Sequence, residues 1–223
     1  MSDPQIIITS DGSHSLYNPE LKETYHSVHG ALQESIHVFI KHGFNYFFEQ
    51  SCAGEADVFE VGFGTGLNAL LTLQEIAGTK RKIRYTAVEA FPISLELSMQ
   101  LNYASSVEAK ELFRKLHTAL WDRDEMITTN FSLLKLKTTL QEFAVKPSSY
   151  DIIFFDAFAP GKQPDMWELP VLRKVAQSMK PGSVFVTYCA KGQLKRDLKT
   201  LGLAVETLAG PPGKKEMIRA VKR

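Results

Sequence analysis

The sequence predicts an open, doubly wound α/β sheet, and three observations carry the prediction. Short apolar runs alternate with stretches of helical periodicity along most of the chain, the pattern of a mostly parallel sheet covered by helices. One run, Ile152-Ile153-Phe154-Phe155, is apolar without a break, as in a strand buried on both faces. Another, ending at Val61, runs through Gly62-Phe63-Gly64-Thr65-Gly66 straight into an apolar helix. That strand–turn–helix unit opens ligand-binding folds of this kind.

Taken in order, residues 1–27 are polar apart from Ile6-Ile7-Ile8. Asp11-Gly12 is a turn signal and predicts a hairpin with strands near 5–9 and 14–17. Leu32, Ile36, Phe39 and Ile40 then recur at helical spacing, and Gly43 is expected to stop that helix. Hairpin and helix make an N-terminal extension over residues 1–45, packed on a main domain of residues 46–223. The first strand of the main sheet is 58–61, with its helix at 67–77. Lys82–Val88 is the second strand, and Pro92 fits the first turn of a helix running to about residue 102. A helix around 109–116 follows, with Trp121 as a core anchor. Phe131–Leu136 is the third strand, 138–144 a short helix and Tyr150–Phe155 the fourth strand. A helix at 166–179, with Pro170 near its start, leads to the fifth strand at 183–188. A helix at 192–201 leads to strands at 204–208 and 217–221. No helix separates the last two, so they form an antiparallel hairpin at the sheet edge. The expectation is a Rossmann-like, mostly parallel, seven-stranded sheet with an antiparallel last strand.

The chain has 223 residues, 44% of them hydrophobic, ample for one buried core. Its formal net charge of +1 advertises no polyanion partner, so any such claim rests on local patches. Cys52 and Cys189 are far apart and outside C-x-x-C spacing, which excludes a disulfide framework and a zinc signature. His26, His29, His37 and His42 have no acidic or cysteine companions, so no metal is expected. There is no basic leader before an apolar core and no run of membrane-spanning length. The expected setting is the cytoplasm, away from membranes.

The glycine turn carries chemistry. Gly66 follows Gly64 by two residues, where a dinucleotide-binding turn would place its third glycine three residues on. Glu60 sits on the strand just before the turn. The combination resembles the first motif of S-adenosylmethionine-dependent methyltransferases, and it places Glu60, Gly62, Gly64, Gly66 and Asn68 around that cofactor. A nicotinamide- or other nucleotide-binding turn is the alternative. Glu89, at the end of the second strand, is positioned to accept hydrogen bonds from a ribose diol. Asp156 ends the fourth strand at the same edge of the sheet, where it serves both cofactor and chemistry. The resemblance implies the fold class of a class I S-adenosylmethionine-dependent methyltransferase.

More specific is Asp156-Ala157-Phe158-Ala159-Pro160-Gly161-Lys162-Gln163-Pro164-Asp165-Met166-Trp167. With this segment, the chain resembles the methyltransferase domain of the MnmC-type tRNA wobble-uridine modification enzymes. Residues 60–68, Glu89 with Pro92, Gly213-Lys214-Lys215-Glu216-Met217, and Tyr25, Gly30, Glu34 and Val38-Phe39-Ile40 share in the resemblance. It implies N-methylation of 5-aminomethyl-uridine, often 2-thiolated, to 5-methylaminomethyl-uridine, with S-adenosylmethionine as cofactor and the tRNA anticodon stem-loop as partner. Asp156 would orient the amine and stabilise the cationic nitrogen of the product, as a base or as an orienting charge only. Phe158, Pro160 and Trp167 would wall a pocket for a flipped-out base. Tyr25, Lys162, Lys214 and Lys215 are the other expected substrate contacts.

Three departures from the family stand out. Bifunctional members carry a flavin oxidase domain after the methyltransferase; that activity is expected to be absent here, with a separate flavin-dependent oxidase acting upstream. His26 stands where the family has phenylalanine. Lys137 and Thr138 stand where it has an acid near the adenine.

The last third of the chain is basic, with Lys191, Lys195, Arg196, Lys199, Lys214, Lys215, Arg219, Lys222 and Arg223 against Asp197, Glu206 and Glu216. Lys80-Arg81-Lys82 with Arg84 is a second cluster. Such patches are either solvated faces or contacts to RNA phosphates. Two other functions fit the same landmarks. A small-amine transferase, aminopropyltransferase-like or a small-molecule methyltransferase, also has an acid after the second strand and an aspartate loop after the fourth. A non-catalytic cofactor-binding module is the other, though intact Gly62, Gly64, Gly66, Glu89 and Asp156 argue against decay.

Overall fold

A computed structural model describes residues 3–223. The polar N-terminal stretch forms a small antiparallel sheet of β1 (Gln5–Ile8), β2 (His14–Asn18) and β3 (Glu23–Thr24), in that order. The first hairpin closes through Asp11, whose carboxylate accepts from the Thr9 hydroxyl at 2.7 Å and the Ser13 amide at 3.0 Å.

The helix that follows does not stop at Gly43. α1 (Ala31–Ser35), a π-helical segment (Ile36–Asn45) and α2 (Tyr46–Gln50) run on as one helix over residues 31–50. Hydrogen bonding from i to i+5 puts Val38, Phe39, Gly43 and Phe44 on one buried face. A Cβ on Gly43 would stand 2.7 Å from Val186 Cγ2 and 3.1 Å from Phe154 Cε1. Gly43 is thus a packing residue: its missing side chain lets the helix lie against the sheet.

The main sheet takes β4 (Glu55–Val61), β5 (Lys82–Val88), β6 (Asp124–Thr128), β7 (Phe131–Leu136), β8 (Tyr150–Phe155), β9 (Met179–Thr187), β10 (Leu203–Ala209) and β11 (Glu216–Lys222). The spatial order is β10-β11-β9-β8-β4-β5-β7-β6. The inner pairs β9-β8, β8-β4, β4-β5 and β5-β7 are parallel. β11 inserts between β9 and β10 and is antiparallel to both, as expected of the last strand. The sheet has one strand more than expected. β6 pairs antiparallel with β7 at the edge and buries only Ile127, too little apolar content to read as a strand.

The helices are α3 (Leu67–Glu75), α4 (Leu95–Ser98), α5 (Val107–Thr118), α6 (Leu169–Ser178) and α7 (Gly192–Thr200). Helix 31–50, α3 and α5 contribute to one core cluster; α6 and α7 contribute to another on the opposite face. Pro170 falls in the first turn of α6, where its missing N–H costs nothing. Two expected helices shrink. Only α4 forms after Pro92, and residues 138–144 are turns. No helix among the described residues is long and apolar enough to cross a membrane. β4 lies between β5 and β8, so the carboxyl ends of these three strands open at the point where the sheet reverses its winding.

Candidate active site

The chain leaves β4 through a turn that only glycine can make. Gly62, Gly64 and Gly66 have φ of 89°, 50° and 73°. A Cβ on Gly62 would stand 2.8 Å from Asp156 O, and one on Gly66 would stand 2.8 Å from His117 Nε2. The turn is held from two sides. His26 Nε2 hydrogen-bonds the Thr65 hydroxyl at 2.8 Å, and His117 Nε2 donates to Thr65 O at 3.1 Å. Burial lowers the pKa of both imidazoles to about 4, so both are neutral at pH 7. Behind the turn, the Lys135 ammonium donates to His117 O at 3.0 Å and lies 4.7 Å from the Trp121 ring centroid. Burial lowers its pKa to about 8.

Three acidic side chains converge on the turn. Glu60 is fully buried beneath it, and Asn68 stands in the first turn of α3. Asn68 Nδ2 donates to Glu60 Oε1 at 2.9 Å and to Asp156 Oδ2 at 2.8 Å, bridging the two carboxyls. Glu60 Oε2 and Asn68 Oδ1 are buried without a partner. Burial pushes the Glu60 carboxyl well above its ordinary range, and burial together with the nearby Glu34 pushes Asp156 up to about 7. Glu89 accepts from the Gly64 amide at 3.0 Å through Oε2 and from the Phe91 amide at 2.9 Å through Oε1. Each oxygen keeps lone-pair capacity for a further donor.

These groups border a cavity of about 570 Å³ at the carboxyl ends of the strands. Gly62, Gly64, Asn68, Glu89 and Asp156 all line it, and Glu60 and Gly66 stand just behind its wall. Tyr25 and Phe158 meet edge to face at 5.0 Å on one side. On the other side, Thr138, Thr139, Leu140 and Gln141 form a wall where the sequence predicts a helix. Lys174, on α6, holds that wall by donating to the carbonyls of Leu140, Gln141 and Phe143 at 3.1, 2.6 and 3.0 Å. A carboxylate does reach this side, although none follows the third expected strand. Asp165 lines it from the loop after β8 and accepts from Gln141 Nε2 at 3.2 Å.

Several expected substrate contacts stand elsewhere. Trp167 does not wall the cavity. It is buried behind Phe158, donates from Nε1 to Phe158 O at 2.7 Å, and packs on Phe155. Pro160 is also outside the lining. Lys162 donates to Leu21 O at 3.2 Å and Lys22 O at 2.8 Å, tying the loop after β8 to the N-terminal extension. Leu21 itself lines the cavity. Lys214 is paired with Glu34 and so does not present a free charge, whereas Lys215 is exposed. The neighbouring basic residues Lys195 and Arg219 are paired too, with Glu216 at 2.8 Å and Glu206 at 2.7 Å.

An open α/β sheet with a glycine turn after a central strand, an acid ending the next strand and a cavity across both defines the class: a nucleoside-cofactor-binding enzyme of the doubly wound type. Within that class, the family profile described as S-adenosyl-L-methionine-dependent methyltransferase matches residues 100–223, and the chain belongs to that family. Among curated proteins, it is 29% identical over 216 residues to the tRNA 5-methylaminomethyl-2-thiouridine biosynthesis bifunctional protein MnmC of Cupriavidus necator, covering 90% of this chain and 32% of that protein. The protein of the same name from Ectopseudomonas mendocina is 30% identical over 213 residues, covering 88% and 32%. The chain thus spans about a third of the length of these relatives. The crystal structure of MNMC2 from Aquifex aeolicus has the same fold, with a TM-score of 0.81 at 22% identity, covering 99% of this chain and 71% of that one. Spermidine synthase from Thermotoga maritima shares the fold more loosely, with a TM-score of 0.53 at 12% identity, covering 99% and 70%.

The site fits the family's cofactor, S-adenosyl-L-methionine. A side chain on Gly62 or Gly66 would collide with its surroundings, Glu89 retains acceptor capacity, and orphaned acceptors lie under the turn.

Proposed function

We propose that this protein methylates the amino nitrogen of 5-aminomethyl-uridine, 2-thiolated or not, at the wobble position of tRNA, giving 5-methylaminomethyl-uridine. One observation carries the reading: Asp156 is fixed by Asn68 on the cavity wall between the glycine turn and the Tyr25–Phe158 pair. The MnmC names of the relatives supply the substrate. The setting is the cytoplasm, the macromolecular partner is the anticodon stem-loop, and a separate flavin-dependent oxidase supplies the amine.

Glu89 would hold the ribose, the backbone of the Gly62–Gly66 turn the amino-acid end, and Leu140, Gln141 and Asp165 the adenine. When bound, S-adenosylmethionine supplies a methyl group activated on a sulfonium. The chain's own work is on the acceptor. A primary alkyl ammonium must lose a proton before its nitrogen can attack. A carboxyl titrating near pH 7 accepts that proton at Oδ1 or Oδ2 and keeps the nitrogen aimed, so Asp156 acts as base and orienting group together. Asn68 keeps the carboxyl in place while its charge changes. Tyr25 and Phe158 exclude water and offer aromatic faces to an extruded base. Trp167 acts through Phe158, and Lys162 through Leu21.

The test is incubation with labelled S-adenosylmethionine and tRNA lacking the terminal methyl, followed by nucleoside analysis. Label in the methylaminomethyl nucleoside is the expected result. Unlabelled tRNA, with a polyamine methylated by S-adenosylmethionine or extended in a parallel incubation with decarboxylated S-adenosylmethionine and a diamine, would replace this reading with the small-amine transferase.

A further inference from the structure

Two segments marked in the sequence stand outside the cavity lining: the one with Gly30 and Glu34, and the one with Gly213 and Lys214. The fold brings them together. The Lys214 ammonium pairs with Glu34 Oε1 and stands 4.2 Å from the centroid of the Tyr188 ring. Glu34 is only 4% exposed, and its Oε2 accepts from the Ser27 amide at 2.7 Å. The Tyr188 hydroxyl donates at 2.8 Å to Ala157 O, the residue after Asp156. The loop carrying Lys214 presses on the N-terminal segment once more at Gly213, where any Cβ would clash with the His29 ring.

We infer that the Glu34–Lys214 ion pair is a positioning device for Asp156: it ties the N-terminal extension to the β10–β11 hairpin, braces Tyr188 against the backbone next to Asp156, and sets the charge that carboxyl meets. The inference rests on the reading of Asp156 as the carboxylate that meets the amine. At Asp156 the two charges act in opposite directions, Glu34 the more strongly. Removing one partner leaves a lone charge in a poorly solvated region, where its reach is long.

The groups facing Asp156 are Glu60 from β4, Tyr85 from β5, Asn68 from α3, Tyr188 from the end of β9, and the pair itself. Burial and Glu34 raise the Asp156 pKa, while the Asn68 hydrogen bond and Lys214 lower it. Only the two members of the pair come from outside the sheet and its first helix, so they can be altered without touching Asn68 or Glu60. The same pairing explains why Lys214 is not a free phosphate contact.

The experiment uses the full chain with carbon-13 in its aspartate carboxyls and follows the Asp156 titration by NMR, with no substrate present. Glu34→Gln should lower the midpoint by about one pH unit, and Lys214→Met should raise it by less, about half a unit. Lys214→Arg should stay within about 0.3 unit of the parent, and the double variant Glu34→Gln/Lys214→Met should fall between the parent and Glu34→Gln. If Glu34→Gln fails to fold, Lys214→Met and the double variant still decide. An Asp156 midpoint unmoved in Lys214→Met overturns the inference, as does one that shifts equally in the double variant. The acidic limb of kcat/KM for tRNA methylation should move in step with the NMR midpoint. Titration shifts as expected in a protein that methylates no tRNA would uphold the pair's role and sink the proposed function instead.

Discussion

Glu89 is the sharpest test of where the cofactor sits. Its two oxygens each hold one backbone amide, from Gly64 and from Phe91, and each can take one more donor. In the proposed complex those donors are ribose hydroxyls. A hydrogen bond to a charged group contributes about 1.5–3 kcal/mol, and leaving its partner unpaired costs a similar amount. Losing one such bond should weaken S-adenosylmethionine binding about 10- to 150-fold. Glu89→Gln keeps the size of the side chain but turns one acceptor into a donor, which faces either the Gly64 or the Phe91 amide. It should therefore bind at least as poorly as Glu89→Ala. Burial pushes the Glu89 carboxyl upward, so parent affinity should fall as the pH drops and the carboxylate is protonated. Glu89→Gln should not show that loss. The assay is calorimetry with S-adenosylmethionine and with its demethylated product across a pH series. Affinities within twofold of the parent in both variants would refute the reasoning and move the ribose elsewhere in the cavity.

Asp156→Asn should retain the demethylated cofactor yet slow single-turnover methyl transfer by about 10²-fold or more; parental speed would make the carboxylate dispensable. Because the Asp156 carboxyl is pushed up to about 7, the folded state keeps a proton that the unfolded chain releases near pH 4, at about the ordinary aspartate value. The stability it contributes is complete below that value and lost as the pH rises through about 7, so the thermal midpoint of Asp156→Asn should decline less over this window than the parent's; parallel curves would contradict the assignment. Gly43→Ala should destabilise the protein by about 1–3 kcal/mol despite its better helix propensity, read from urea midpoints, and a neutral effect would mean that helix 31–50 can lift off Val186 and Phe154 at little cost. Lys215→Ala should lower the log–log salt slope of tRNA binding by up to about one unit, whereas Lys214→Ala should leave it unchanged; the reverse pattern would show that the Glu34 pair opens on RNA.

Much of the sheet was readable because its inner strands are either continuous apolar runs or alternate between buried and more exposed positions. Lys82–Val88, Phe131–Leu136 and Tyr150–Phe155 have the bounds that their composition suggests. β6 was invisible because an edge strand needs only one inward side chain, Ile127, and Met126 beside it faces out. Gly43 misled because its use is set by Val186 and Phe154, residues far along the chain, and packing there outweighs propensity. The positions of Glu60, Asn68, Glu89 and Asp156 could be anticipated, since a strand end fixes where its next side chain points. The use of Trp167, Lys162 and Lys214 could not. Each is long enough to reach either the cavity or a neighbouring backbone, and only the fold decides between them. Thr138–Gln141 were missed for a related reason: a lysine on α6, not a local pattern, shapes that turn.

The insertion of β11 between β9 and β10 bears on how the molecule is made. β10 has no partner in the main sheet until β11 exists, because it touches the rest only through that last strand. β4 to β9 precede β11 in sequence and can pair with one another without it. The hairpin with Lys214 at its tip is synthesised after them and closes on Glu34, which precedes β4. The environment of Asp156 is therefore completed only once β11 has paired. A chain cut between β9 and β10 would carry most of the cofactor-side residues with the Asp156 side unfinished.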